Sequence, residues 1–421
     1  MQISIFGTGY VGAVTGICFS EWGHGIIFYD TDEFKLHQIE ERVPPIFEPG
    51  LQEILHKNKN RIIVEINPGN AVLASDISFI CVGTPSREDG SIDLQFIENV
   101  SRDIGTALEK KNTLHTVVVK STVVPGTTEN LIIPILERES GKKSGEGYTI
   151  VSNPEFLREG NAVHDFFHPD RVVIGSQDEK SAFIMKDLYY PLSCPVMTTS
   201  IKTAEMIKYV SNAFLATKIS FANEIGNLCK VNGTDSYEVF QGVGMDSRIN
   251  PAFFRSGIGF GGSCFPKDVR ALIAYANISG TELPILDAVM KTNEDQPDKL
   301  IRLLKKHLNI QGKTIGILGL AFKPDTDDIR ESRAIPLIQR LLAEEAHVVA
   351  YDPLAMDNFR KEFPHITYAS TAEEVMKADA ILIVTEWPEF EKLNYAGKIV
   401  IDGRRVQWAQ NKARIYEGVC W

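Results

Sequence analysis

Residues 2–12 read "QISIFGTGYVG". The first half is a short apolar run, of the kind found in a strand covered on both faces. The second half spaces Gly7, Gly9 and Gly12 as G-x-G-x-x-G. In such a turn the first glycine permits the tight bend and the second lets backbone approach a pyrophosphate. The third lets the following helix lie on the strand. Helical sequence runs on to Trp22, and the N–H groups at its start are the natural seat of the pyrophosphate. The next strand, "HGIIFYD", ends at Asp30, 18 residues after Gly12. A carboxylate there accepts hydrogen bonds from ribose hydroxyls and repels a 2′-phosphate, which favours NAD over NADP.

The same texture continues downstream. Buried-strand candidates are "ISFICVG" (77–83), "TVVVKST" (116–122), "YTIVSN" (148–153) and "RVVIGS" (171–176), with helical stretches such as 92–110 and 127–139 between strands. Strands alternating with helices predict βαβ units and a parallel sheet. From residue 200 the pattern changes: "SIKTAEMIKYVSNAFLATKISFANEIGNLCKVNG" keeps helical spacing up to Gly233, and no strand-like run appears before about 313. A second alternating series then starts at "KTIGILGLAF" (313–322) and includes "HVVAYDP" (347–353), "AILIVTEW" (380–387) and "KIVIDGR" (398–404). It has only Gly316 and Gly319 of the glycine fingerprint, so it is expected to take a different nucleotide. Three domains follow, over 1–199, 200–295 and 296–421.

A chain of 421 residues is too long for a single core, in keeping with that division. Its net charge is −11 with no Lys/Arg block, which argues against a nucleic-acid partner. Its apolar runs are too short to cross a bilayer, and its start reads directly into the first strand rather than into a targeting segment. Cysteines at 18, 81, 194, 229, 264 and 420 form no CxxC and have no His at ligand spacing. That argues against a disulfide framework and against a metal site. The expectation is a reduced, cytoplasmic, soluble enzyme or binding protein.

One cysteine has unusual company. In "GFGGSCFPKD" (259–268), Cys264 directly precedes a helix start marked by Pro266, where the helix dipole favours a thiolate. Asp268 lies four residues on, and Gly259, Gly261 and Gly262 would let a substrate approach. The plain alternative is a turn that buries a small apolar side chain. A dinucleotide site together with an activated thiol suggests oxidation of a carbonyl through a thioester.

Taken in order with "GTGYVG", "KSTVVPGTT", "NPEFLREG", "AFKPDTDDIRES" and "DGRRV", this stretch resembles the UDP-glucose/GDP-mannose dehydrogenase family over nearly the whole chain. The resemblance implies an α/β fold: an N-terminal NAD-binding Rossmann domain, a central all-helical dimerisation domain and a C-terminal Rossmann-like UDP-binding domain. It also implies a homodimer that oxidises UDP-glucose at C6 to UDP-glucuronate, a four-electron reaction that uses two NAD and one water.

By the same resemblance, Cys264 is the nucleophile that captures the aldehyde as a thiohemiacetal and then forms a thioester. Lys208 and Asn212 are the oxyanion stabilisers, four residues apart on one helix face. Asp268 and Thr122 hold water, and Glu155 is the base for hydrolysis. NAD is expected at Gly7, Gly9, Tyr10, Val11, Gly12, Asp30 and Lys35, and also at Thr84, Pro85, Ser121, Thr122, Glu159, Lys267 and Arg330. The sugar nucleotide is expected against Glu155, Phe156, Leu157, Arg158 and Glu159, with Lys208 and Asn212. Phe253, Phe254, Ser256, Gly257, Gly261, Phe322, Lys323 and Arg404 or Arg405 complete its side, and Arg248 reaches in from the other subunit.

Within "INPAFFRSG", Asn250, Arg255 and Ser256 depart from the family pattern and leave the sugar open. GDP-mannose is the nearest alternative substrate. "NPEFLREG" argues against a UDP-N-acetylhexosamine, and "FGGSCFPKDV" leans toward UDP-glucose. A catalytically idle nucleotide-sugar-binding dimer has no need for Cys264, Lys208, Asn212, Asp268 and Glu155 together. A two-electron hydroxyacid dehydrogenase has no use for the thiol.

Overall fold

A computed structural model describes residues 1–421, Gln407 by its backbone alone. The chain forms two compact units, Met1–Ser211 and Asn212–Trp421.

The first unit is built on eight strands: β1 (Gln2–Phe6), β2 (Gly25–Tyr29), β3 (Ile62–Val64), β4 (Ile77–Ile80), β5 (His115–Val119), β6 (Tyr148–Ser152), β7 (Val172–Ser176) and β8 (Val196–Thr199). Their order is β3-β2-β1-β4-β5-β6-β7-β8. Strands β4, β5 and β6 are buried along their whole length, which is why they read as unbroken apolar runs. One side of the sheet packs Val14, Ile17 and Phe19 of the first helix (Tyr10–Glu21) against Ile3, Ile5 and Phe79. The other side packs Ile97, Ile104 and Leu108 against Phe6, Ile80 and Val117. All neighbours run parallel except β6 and β7, which are antiparallel. The connection between those two strands contains only the six-residue helix Ala162–Phe167 rather than a full crossover helix. Because β2 and β4 flank β1 on opposite sides, the strand order reverses there. A crevice opens at the carboxyl ends of β1 and β4.

The boundary between the units falls inside one helix, Ile201–Asn232. The second unit continues through helices Ser236–Gly244, Phe265–Ile278 and Pro284–Lys305. A six-stranded parallel sheet follows: β9 (Thr314–Leu318), β10 (His347–Tyr351), β11 (Thr367–Tyr368), β12 (Ala380–Ile383), β13 (Ile399–Asp402) and β14 (Ile415–Gly418). Its order, β11-β10-β9-β12-β13-β14, repeats the arrangement of the first six strands. Leu300, Ile301 and Leu304 of the last of those helices pack on Ile315, Ile317 and Ile401. Among the described residues no helix is long and apolar enough to cross a membrane.

The two sheets differ where a ribose would meet them. Asp352 follows β10 as Asp30 follows β2, but it is fully buried. Its Oδ2 accepts from the Leu320 and Ala321 nitrogens (2.7 and 3.0 Å) and from Trp387 Nε1 (3.0 Å). Its Oδ1 accepts from the Leu354 and Ala355 nitrogens, both at 2.9 Å. Five donors leave this carboxylate a structural knot.

Candidate active site

At the end of β1, Gly7 takes φ +98°, and a Cβ on it would lie 2.9 Å from the Val82 nitrogen. A Cβ on Gly12 would lie 1.8 Å from the Gly7 carbonyl oxygen, so the first helix can seat on the turn only as glycine. Gly9 is different. It is the helix N-cap without a capping side chain, and a Cβ there would meet no atom within 4 Å. Gly9 thus leaves open space at the positive end of a helix dipole, where an anion would be favoured. Tyr10 and Val11 begin that helix. The Tyr10 hydroxyl donates to Glu48, a buried carboxylate that also accepts from the Gly160 and Ala162 nitrogens at 2.8 and 2.6 Å.

Asp30 Oδ2 accepts from the Thr8 nitrogen (2.6 Å) and hydroxyl (2.7 Å), and its Oδ1 accepts from the Asp32 nitrogen at 3.0 Å. Burial pushes the Asp30 carboxyl up, but those bonds and Lys35 outweigh it and hold it below its ordinary value. It is half-buried, and a carboxylate has about four lone-pair sites, so acceptor capacity remains for ribose hydroxyls. Across the crevice Thr84 donates to the Thr122 carbonyl at 3.0 Å, and Ser121 to the Val82 carbonyl at 2.7 Å. The Pro85 carbonyl accepts from the Asp93 nitrogen at 2.8 Å. Lys35 stands 3.5 Å from Asp32. Open space at Gly9 and an ionised Asp30 fit NAD.

The loop after β6 presents Glu155, whose Oε1 lies 2.8 Å from Lys208 Nζ. The two side chains are only 6% and 5% exposed, so this is a buried ion pair. Glu155 Oε2 accepts from the Leu157 nitrogen at 2.6 Å. Burial pushes this carboxyl up, yet Lys208, the Leu157 bond and the charge of Lys120 together hold it below its ordinary value. The ring of Phe156 lies 3.9 Å from the Arg171 guanidinium and 5.5 Å from Lys208 Nζ. Arg158 forks onto Asp165 at 2.8 and 2.5 Å, and Glu159 follows half-buried.

In the second unit Cys264 is the N-cap of helix Phe265–Ile278, with Pro266 as its second residue and Ser263 Oγ 3.5 Å from the sulfur. The thiol is partly exposed at the positive end of a fourteen-residue helix. That placement favours a thiolate. One turn on, Asp268 is 1% exposed; its Oδ2 accepts from Asn212 Nδ2 at 2.6 Å and its Oδ1 meets Lys267 Nζ at 2.5 Å. Asn212 sits one turn beyond Lys208 on helix Ile201–Asn232, on the same stripe.

The glycine collar before the thiol is tightly packed. A Cβ would lie 2.6 Å from the Gly403 carbonyl at Gly257, 2.5 Å from Asn293 Oδ1 at Gly259, and 2.3 Å from the Glu331 carbonyl at Gly261. These glycines admit other parts of their own unit. Three buried amides hold the loop, and the sequence reading missed all of them. Asn223 accepts from the Gly257 nitrogen (2.7 Å), and Gln296 donates to the Gly257 carbonyl (2.6 Å). Asn293 brackets Phe260, accepting at 2.7 Å and donating at 3.0 Å. Their signal was available: Asn293 and Gln296 are polar residues on the buried stripe of helix Pro284–Lys305.

Other expected substrate residues scatter in role. Ser256 is buried, paired with the Ser236 hydroxyl at 2.8 Å. Phe254 stacks on Phe240 with centroids 4.9 Å apart, while Phe253 takes φ +69°. Arg404 donates to the Val384 and Phe322 carbonyls at 2.7 and 3.2 Å, and Lys323 Nζ lies 5.5 Å from the Phe322 ring centre. Arg405 instead forks onto Asp235 (2.5 and 2.6 Å) over the Tyr237 ring. Arg330 forks onto Asp328, and Arg248, 87% exposed, onto Asp246.

A glycine turn after β1, with an ionised carboxylate after β2, is the arrangement of a dinucleotide-binding α/β protein. Residues 1–193 match the NAD binding domain of the UDP-glucose/GDP-mannose dehydrogenase family, 202–295 its central domain and 316–408 its UDP binding domain. The chain belongs to that family, with the three-part α/β fold expected of it. UDP-glucose 6-dehydrogenase AglM of Haloferax volcanii is 46% identical over 417 residues, which cover 96% of this chain and 97% of that one. A GDP-mannose 6-dehydrogenase of Azotobacter vinelandii is 41% identical, with full coverage of both. The solved UDP-glucose dehydrogenase of Pyrobaculum islandicum superposes with a TM-score of 0.97 at 44% identity, covering 100% of this chain and 98% of that one.

Proposed function

We propose that this protein oxidises UDP-glucose to UDP-glucuronate through a covalent adduct on Cys264. The observation that carries the reading is the helix-mouth thiol one turn before a buried Asp268 whose two oxygens are held by Asn212 and Lys267. NAD, when bound, accepts a hydride from C6 in each of the two oxidations. The Cys264 thiolate adds to the C6 aldehyde; a C–S bond forms, and the oxyanion is met by the Lys208 ammonium and the Asn212 amide. After the second oxidation C6 is a thioester. Water held by Thr122 and Asp268 attacks it with Glu155 as general base, the C–S bond breaks, and the thiolate returns. One alcohol, one water and two NAD+ become one carboxylate, two NADH and three protons.

Residues 1–199 then serve as the NAD domain, 200–295 as the dimerisation domain and 296–421 as the UDP domain. Phe322, Lys323 and Arg404 face the nucleotide, and Arg248 serves the site of a second copy. A homodimer is supported by Phe214, Phe221, Leu228 and Val231, which leave one stripe of the long helix between 49% and 83% exposed. Six cysteines kept as thiols support a reducing, cytoplasmic setting. GDP-mannose is the second reading, favoured by the 41% identity to the Azotobacter vinelandii enzyme. Turnover of a panel of nucleotide sugars with NAD tests both. UDP-glucose should be preferred and yield two NADH per sugar; a ratio near one, or released aldehyde, overturns the mechanism.

A further inference from the structure

Directly after β5 a lysine is buried where the reaction as proposed makes no use of it. Lys120 is 5% exposed. Its ammonium donates to Asn153 Oδ1 (3.0 Å) and to the Tyr189 hydroxyl (3.2 Å), with the Asn153 carbonyl at 3.4 Å. All three partners are neutral. Tyr189 in turn donates to Asn153 Oδ1 at 2.6 Å, and Asn153 donates from its side chain to the Val173 carbonyl (2.9 Å) and from its backbone to the Val119 carbonyl (2.8 Å). Asn153 stands two residues before Glu155. One buried network therefore joins β5, β6 and β7 to the root of the loop that presents the proposed base.

We infer that Lys120 is a positioning residue for Glu155: it fixes the Asn153 end of that loop and sets a second positive charge within reach of the carboxylate. The inference rests on the reading of Glu155 as the hydrolytic base. A buried ammonium bonded only to neutral groups is expensive, and a methionine would fill the same space without that cost. Burial pulls Lys120 down to about 8; the charges that act on it are Cys81 and Glu155 in its favour and Lys208 against. Cys81 is itself pushed up to about 12 by burial and Tyr189 is pushed up as well, so both are neutral at pH 7. Glu155 is left as the ionised counter-charge. Without Lys120 the desolvated Glu155 would hold its proton to higher pH, which moves the acidic limb, and its loop would lose the Asn153 anchor, which lowers kcat.

The test compares Lys120→Met, Lys120→Gln, Tyr189→Phe and Glu155→Gln with the wild type, using UDP-glucose and NAD. For Lys120→Met, kcat should fall about tenfold to a hundredfold with KM for the sugar nucleotide nearly unchanged. The acidic limb of its kcat profile should move up by about one pH unit. A sugar adduct on Cys264 should accumulate during turnover, visible by intact-protein mass. Lys120→Gln, which keeps a donor for Asn153, should lose less kcat but show the same moved limb, and it decides the matter if Lys120→Met does not fold. Tyr189→Phe keeps the charge, so its limb should stay. An unmoved limb in both lysine variants, or no adduct in either while Glu155→Gln accumulates one, overturns the role of Lys120. Wild-type turnover and no adduct in Glu155→Gln overturns the base itself.

Discussion

Asn212 and Asp268 meet side chain to side chain, amide nitrogen to Oδ2 at 2.6 Å, with both residues buried. Because Lys267 holds the other oxygen, the carboxylate cannot turn without losing a partner. Asn212→Ala should cost about 1–3 kcal/mol in urea denaturation, since a buried acceptor is stripped of its donor. Asn212→Asp sets two carboxylates face to face. It should be the more damaging change for kcat at pH 7 and should recover in part as the pH is lowered and one of the pair is protonated. Equal damage from both, independent of pH, would mean that Asn212 acts on the substrate alone.

Cys264→Ala separates chemistry from packing. A partly exposed N-cap sulfur leaves only a small cavity, so stability should fall by about 1 kcal/mol. Acid formation should fall by several powers of ten, because neither thiohemiacetal nor thioester can form. Melting temperature and NADH production are to be read on one sample. A variant that melts much earlier yet turns over normally when folded would make the thiol a packing residue.

Asp30 does two jobs that one substitution can part. Asp30→Asn keeps an oxygen for the Thr8 nitrogen and removes the charge; Asp30→Ala removes both. Each should raise KM for NAD, with Asp30→Ala the worse because the Thr8 donors at 2.6 and 2.7 Å lose their acceptor beside the glycine turn. Both should narrow the preference for NAD over NADP by relieving repulsion of a 2′-phosphate. KM measured for both cofactors checks this, and an unchanged preference in Asp30→Asn would remove the charge from the explanation.

The elements that were legible in the sequence share one property: their signal is local. Strands β1, β4, β5 and β6 are covered on both faces and read as apolar runs, and Gly7, Gly9 and Gly12 are fixed by steric contacts within one turn. Strands β3, β8, β11 and β14 escaped because they are short and partly exposed at the sheet edges, with Ile63 58% exposed. β7, antiparallel to β6, reads like the parallel strands before it, because it too is buried along nearly its whole length. In the site, the residue types and their helical spacing were visible. What was not visible depends on distant segments: Glu48 under Tyr10, Asn293 and Gln296 behind the glycine collar, and Lys120 behind Glu155. Nor could the sequence part Arg404 from Arg405, which are adjacent yet turn to Val384 and Asp235 respectively.

The turn that carries Arg404 yields a pH prediction. Asp402 ends β13 fully buried, its Oδ1 accepting from the Arg404 nitrogen (2.7 Å) and its Oδ2 from the Val406 nitrogen and the Tyr416 hydroxyl, both at 2.6 Å. Burial pushes this carboxyl up to about 6, against the pull of those three donors. A folded value above the unfolded one means that folding favours the protonated group. Its contribution is therefore full below about pH 4 and is lost as the pH rises through about 6. In Asp402→Asn this titration is gone. The stability of the wild type relative to that variant should decline between pH 4 and pH 7 by on the order of 3 kcal/mol, read from urea midpoints across a pH series. Taking the difference cancels the carboxylates held low, Glu155 and Asp165 among them, whose contributions run the opposite way. The same variant offers an amide N–H to the Val406 N–H and disturbs the turn. KM for UDP-glucose should then rise while KM for NAD, bound by the other sheet, stays near its wild-type value. A flat stability difference would mean that the three donors keep Asp402 ionised throughout. An equal rise in both KM values would sever the turn from nucleotide binding.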